Sequence, residues 1–151
     1  MKIKTILFCW LPTFIIVFGL NGVFHGQLAA NFFDTNLIQL EPAIHKMKDT
    51  DPLWVGLLDL VLTFGMTYFI TARREGKINL GNAAFAGGLL NLISSGTWNF
   101  ANAAMFSWSV TVTICDITWH ILLGAFGGLI IGAIYNRVQK RAGAVKLSTN
   151  I

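Results

Sequence analysis

Apolar residues in this chain come in four long runs separated by short polar breaks, and this pattern dictates the architecture. The runs cover about Thr5 to Phe24, Leu53 to Ala72, Asn79 to Ala101 and Ser109 to Tyr135. Each reaches the roughly 20 residues that a helix needs to cross a bilayer core. Between the first two lies HGQLAANFFDTNLIQLEPAIHKMKDTDP, in which Phe33, Leu37 and Leu40 repeat at helical spacing. That spacing suits a short helix lying at the membrane interface. The expected fold is therefore all-α: an integral membrane bundle of four transmembrane helices in one domain, 1–151, with a short interfacial helix in its first extracytoplasmic loop. The opening MKIK before an apolar run also fits a signal peptide. The length of the run, and the polar HGQL before Ala29 and Ala30, favour a retained span.

Composition changes the picture only by sharpening it. The 151 residues are 54% hydrophobic and 12% charged, against about 25% charged in soluble domains. Net charge is +4, which raises nucleic acid as a partner, but the distribution excludes it. Lys2 and Lys4 precede the first run, Arg73, Arg74 and Lys77 follow the second, and Arg137, Lys140, Arg141 and Lys146 follow the fourth. With four spans these all fall on one side, which the positive-inside rule makes the cytoplasm for both termini. A bacterial inner-membrane location follows. Cys9 and Cys115 sit in apolar runs without CxxC spacing and read as packed thiols.

That topology puts several polar residues at one depth. Asp59 with Thr63 and Thr67, Asp116 with His120, and Asn91 with Ser95, Trp98 and Asn102 each share a helix face. Asn99 lies at the same depth, and the first run ends there with Asn21 and His25. Ionisable groups in hydrocarbon cost at least about 2.5–3.5 kcal/mol, so they turn inward and find partners. Asp59, Trp98, Asn99, Asn102, Asp116, Trp119 and His120 are thus a candidate buried polar site. The plainest role is fastening, with Asp116 bonded to Asn99, Asn102 or Trp98. A ligand, ion or proton site is the alternative. No metal site is expected: Asp116 and His120 at i, i+4 offer two ligands where zinc takes three or four, and His25 adds a third only if the first span packs beside the fourth. His120 and His25 are also possible tetrapyrrole ligands, because Gly124, four residues after His120, leaves room for a ring. Gly124, Gly128 and Gly132 form GxxxGxxxG, which lets helix backbones approach closely in lipid. The expected partner is the third span, through Gly81, Ala83, Ala84, Gly87 and Gly88. Pro12 is expected to kink the first span.

Residues 98–120, WNFANAAMFSWSVTVTICDITWH, resemble the end of a bacterial family of small four-span membrane proteins catalogued only as a domain of unknown function. Its members carry Tyr-Asp-Leu-Thr-Asn, then Trp-Pro, then Asp-x-x-Trp-Gly in the last span. Here Trp98 and Asn99 take the Tyr and Asp places, and Asn102 keeps the Asn. Trp108, Asp116 and Trp119 match, Ser109 replaces Pro, and His120 stands where Gly is usual. The resemblance implies four helices and a polar site between the last two, but no activity.

No P-loop, HExxH, GxSxG or CxxC is present, nor the inverted repeat of many transporters. The functional expectation is a non-enzymatic accessory or structural subunit of a larger membrane complex, with lipid and other membrane subunits as partners. The alternatives are a small-solute or proton-coupled carrier using Asp59 and Asp116, and a heme- or chlorophyll-binding subunit using His120 or His25.

Overall fold

The computed structural model describes residues 3–37, 51–72, 74, 76–106 and 108–148. Helix α1 (Ile3–Val23) runs without interruption through Pro12 and passes into one π-helical turn, Phe24–Leu28. Then come α2 (Ala30–Leu37), α3 (Pro52–Thr71), α4 (Leu80–Phe106) and α5 (Val110–Ser148). Three segments are long and apolar enough to cross a membrane: Ile3–Leu28, Pro52–Thr71 and Val110–Ala142. Helix α4 has the length, at 27 residues, but its apolar character is diluted by four asparagines and several small residues.

Helix boundaries follow local chemistry. Asp51 caps α3 by accepting from the Leu53 amide at 2.8 Å, with Pro52 at the first helical position, where its missing N–H costs nothing. Gly76, at φ +81°, carries the left-handed step in the short α3–α4 connection. Helix α5 continues well beyond Tyr135, where the apolar run stops, because nothing in NRVQKRAGAV breaks a helix.

Helices α4 and α5 pack along most of their length, α1 lies against both α3 and α5, and α3 meets α4 only sparingly. The α4–α5 contact is backbone on backbone. A Cβ at Gly87 would strike the Gly124 carbonyl, one at Gly128 would strike the Ala83 carbonyl, and one at Gly132 would lie 3.0 Å from Leu80. Gly127 opens the opposite side of α5, where an added Cβ would stand 2.7 Å from Met66 of α3. Around these contacts Cys9, Met66, Ile70, Ile78, Ala83, Ile131 and Tyr135 form the main apolar core. The same end is fastened by polar bonds to the connection. The Asn136 amide accepts from the Ile78 N–H at 2.8 Å and donates to the Ile78 carbonyl at 2.9 Å, and Tyr135 Oη donates to the Arg74 carbonyl.

Phe33 of α2 faces the protein interior. It is 2% exposed and packs with Ala29 and Val112 in a second cluster at the opposite end of the bundle. Leu40, the last position of the expected interfacial stripe, lies outside the described residues.

Candidate functional site

The buried faces of the helices are set by four-residue spacing. On α1 the buried positions are Cys9, Thr13, Val17 and Asn21. On α3 they include Asp59, Thr63, Thr67 and Thr71, of which Thr63 and Thr71 donate to the carbonyl one turn back. Such back-bonding settles a hydroxyl in an apolar setting within its own helix. On α4 they include Asn91, Ser95, Asn99 and Asn102. The helix faces converge on Asp116 of α5.

The bonds there tie four helices and the π turn together. Asp116 Oδ2 accepts from Asn99 Nδ2 at 2.7 Å, and Asp116 Oδ1 lies 2.8 Å from His25 Nε2. His120 Nε2, from the next turn of α5, stands 3.7 Å from Asp116 Oδ2, beyond hydrogen-bond reach. Asn21 links α1 to two others: its Nδ2 donates to Asp59 Oδ2 at 3.1 Å, and its Oδ1 accepts from Trp119 Nε1 at 3.1 Å. The Trp119 ring stacks on Phe24 at 4.0 Å, and Phe33 lies 5.1 Å from the His25 ring. Aromatic side chains thus wall one side of the cluster.

His25 leaves the chain from the π turn, whose closing bond runs from the Ala29 N–H to the Phe24 carbonyl. Single π turns occur often where a helix presents a functional side chain. The His25 Nδ1 faces the Asn21 carbonyl at 3.3 Å, which fixes the ring with Nε2 toward Asp116. One ring nitrogen of each histidine and a carboxylate oxygen of Asp116 all lie within 4.8 Å of one another.

Two cavities meet at this cluster. The larger, about 450 Å³, lies between α3 and α4 and reaches Asp116 and His120 on α5; Leu58, Leu62, Ser94, Ser95, Trp98 and Asn99 line it. The smaller, about 340 Å³, lies on the α1 side and is lined by Phe18, Asn21, His25, Phe33, Val55 and Trp108 among others. Leu58, Trp98, Asp116 and His120 border both. Among the described residues, buried Ser95 Oγ and Asn99 Oδ1 at the larger cavity have no hydrogen-bond partner in the protein, nor has Asn102 Nδ2.

The structure therefore brings Asp59, Asn99, Asn102, Asp116, Trp119 and His120 to the inside of the bundle. Trp98 departs from the buried role expected of it. It is 65% exposed, because the inward stripe of α4 steps from Ser95 to Asn99 and turns position 98 outward, leaving its indole at the rim of both cavities. The space expected for a ring beside His120 is also filled. A Cβ at Gly124 would lie 2.5 Å from both Gly87 O and Asn91 Nδ2, so α4 occupies the place a tetrapyrrole would need. Two residues had no assigned role from sequence. Asn21 ends the Cys9, Thr13, Val17 series of every fourth position, a pattern that marks it as inward-facing. Ser95 belonged to a stripe whose direction could not be read without Trp98 being placed.

Comparison with known proteins gives one match. A family model described as "Predicted membrane protein (DUF2177)" matches residues 6–133. No curated protein and no solved structure matches the chain.

Proposed function

Since the chain belongs to the DUF2177 family of predicted membrane proteins, we propose that it is a four-span protein of the bacterial inner membrane that works by binding, not catalysis. On this reading the ligand is a small amphiphile held in the larger cavity among α3, α4 and α5. The observation behind it is a cavity of about 450 Å³ lined by Ser95 and Asn99, whose buried Oγ and Oδ1 have no hydrogen-bond partner in the protein. A buried polar atom without a partner costs about 1–3 kcal/mol. It is tolerated where a ligand supplies the missing bond. Small-molecule sites generally combine apolar walls with a few convergent polar groups, and here Leu58, Leu62 and Trp98 are the walls. Asn99 Oδ1 and Asp116 accept hydrogen bonds, so the head of the ligand donates them or carries positive charge.

Helix α4 counts as the fourth span on this reading. At 1.5 Å per residue its 27 residues extend about 40 Å, enough for a hydrocarbon core of about 30 Å. Its asparagines lower its hydropathy, but Asn91, Asn99 and Asn102 are turned inward. Both termini then lie in the cytoplasm with the basic residues, and the His25 end of the bundle faces outward. A reporter fused after residue 148 should be active only in its cytoplasmic form, and one inserted near residue 107 only in its exported form. The same compartment for both fusions would overturn the four-span topology.

On this reading the protein is an accessory subunit that presents its ligand within a larger membrane assembly, which the lack of a recognisable catalytic motif supports. A carrier role is the second reading, favoured because Asp116 and His120 border both cavities, so a solute moving between them passes the carboxylate. Leu58 is 56% exposed and lines both cavities, which makes Leu58→Trp a way to fill them without disturbing the core. Native mass spectrometry of protein extracted in mild detergent should show a retained organic adduct on the wild type and none on Leu58→Trp. Bare protein in both samples would refute the binding role. Flux of the identified adduct into proteoliposomes separates carrier from subunit.

A further inference from the structure

We propose that His25, Asp116 and His120 form a binding site for a divalent transition-metal ion of the zinc class. This goes beyond the amphiphile cavity, whose unpartnered groups are Ser95 and Asn99, and it needs neither of those oxygens.

The donor geometry carries the inference. His25 Nδ1 faces the Asn21 carbonyl, 3.3 Å away, a contact that suits the tautomer with its proton on Nδ1. In the neutral ring that leaves the lone pair of Nε2 pointing at Asp116 Oδ1 from 2.8 Å. Two lone pairs at that distance repel unless a cation sits between them, and the cation is either a proton or a metal. His120 separates the two cases. Its Nε2 is 3.7 Å from Asp116 Oδ2, too far to share a proton with it. A proton between His25 and Asp116 leaves His120 without a part, whereas a metal employs all three groups.

The spacing is also that of a metal site. Zinc bonds of about 2.0–2.1 Å in tetrahedral array hold their donor atoms about 3.3–3.4 Å apart. His25 Nε2 lies 2.8 Å from Asp116 Oδ1 and His120 Nε2 lies 3.7 Å from Oδ2; with one ligand atom from each residue the three donors lie within 4.8 Å of one another, and side-chain rotations close the difference. Two imidazoles and one carboxylate suit zinc and its first-row neighbours, whereas magnesium and calcium prefer oxygen sets. Ligating histidines normally donate their other ring N–H to a carbonyl or carboxylate, and His25 Nδ1 is placed to do so toward Asn21. Asn99, donating to Asp116 Oδ2 at 2.7 Å, orients the third ligand in the same way. Three protein ligands leave a fourth position for an exchangeable group.

The test uses the full chain in mild detergent, stripped with EDTA and titrated with Zn²⁺ by calorimetry and with Co²⁺ by visible absorption. The wild type should bind one equivalent of Zn²⁺ and give a ligand-field spectrum with Co²⁺. His25→Ala and His120→Ala should each weaken Zn²⁺ binding by about 100-fold or more. Asn99→Ala, which removes only a positioning bond, should weaken it by about 10–100-fold. Uptake by the wild type no greater than that of a His25→Ala/His120→Ala double variant would overturn the proposal. If the histidine variants fail to fold, carbethoxylation of the wild type decides: Zn²⁺ should shield His25 and His120. Equal modification of the two with and without Zn²⁺ rejects the site. Should Zn²⁺ fail to bind while Leu58→Trp still removes the organic adduct, the metal inference falls alone and the cavity stands.

Discussion

Gly128→Ala is expected to lower stability by about 3 kcal/mol, at the upper end of what added core volume costs. The new Cβ would land on the Ala83 carbonyl oxygen, with the Ala84 Cα close by. Both are backbone, so no side chain can swing aside, and α4 and α5 must part. In lipid such close contact is the main source of helix association, since no hydrophobic effect drives it. Gly87→Ala should behave alike, because its Cβ meets the Gly124 carbonyl from the other helix. Gly19→Ala on α1 is the contrasting case. Nothing lies within 4 Å of its Cβ, and the substitution should stabilise by about 0.5–1 kcal/mol through the lower chain entropy of alanine. Unfolding titrations in mixed micelles measure all three. A Gly128→Ala protein as stable as the wild type would mean that the two helices are not in backbone contact.

Asp116→Ala is expected to cost about 3 kcal/mol with metal chelated. The two bonds lost are themselves modest, since interhelical hydrogen bonds in membranes average about 0.6 kcal/mol. The larger part comes from what is left behind. His25 Nε2 would lose its partner and Asn99 Nδ2 would keep only the Ser95 carbonyl, and Asn99 already carries an unpartnered Oδ1. Breaking a buried polar pair on one side typically costs about 3–5 kcal/mol, reduced here because His25 and His120 border cavities and are only partly buried. Asp116→Asn keeps the volume and one acceptor for Asn99, and should lose about 1 kcal/mol. The ordering of the two variants in the same titration is the decisive readout. Equal stabilities would show that Asp116 is not the hub of the network.

How far the sequence could be read depended on periodicity. The apolar runs located the long helices to within a few residues at most of their ends, and three of them are long and apolar enough to cross a membrane. They misplaced the end of α5, which continues through NRVQKRAGAV as a helix in its own right, since hydropathy reports the solvent and not the backbone. Asp116 with Asn99 was a foreseeable pair: adjacent antiparallel helices bring residues 17 apart to one level. The place of His25 was not foreseeable. It depends on α1 packing beside α5 and on a π turn that adjusts the direction of the ring, and no local pattern announces either. Trp98 was misjudged because a tryptophan at four-three spacing satisfies the same periodicity as the true stripe through Asn99. Only the neighbouring helix selects between them.

The bonds from Asn136 to both backbone groups of Ile78, with Tyr135 holding Arg74, make the α3–α4 connection part of α5. The connection carries Arg74 and Lys77, both exposed, and so is the natural handle for anything anionic on that side. From Asn136 to Asp116 is one unbroken helix of about 30 Å. A pull on the connection is therefore not absorbed by slack chain. It travels along a stiff rod, whose far end bears the carboxylate and His120.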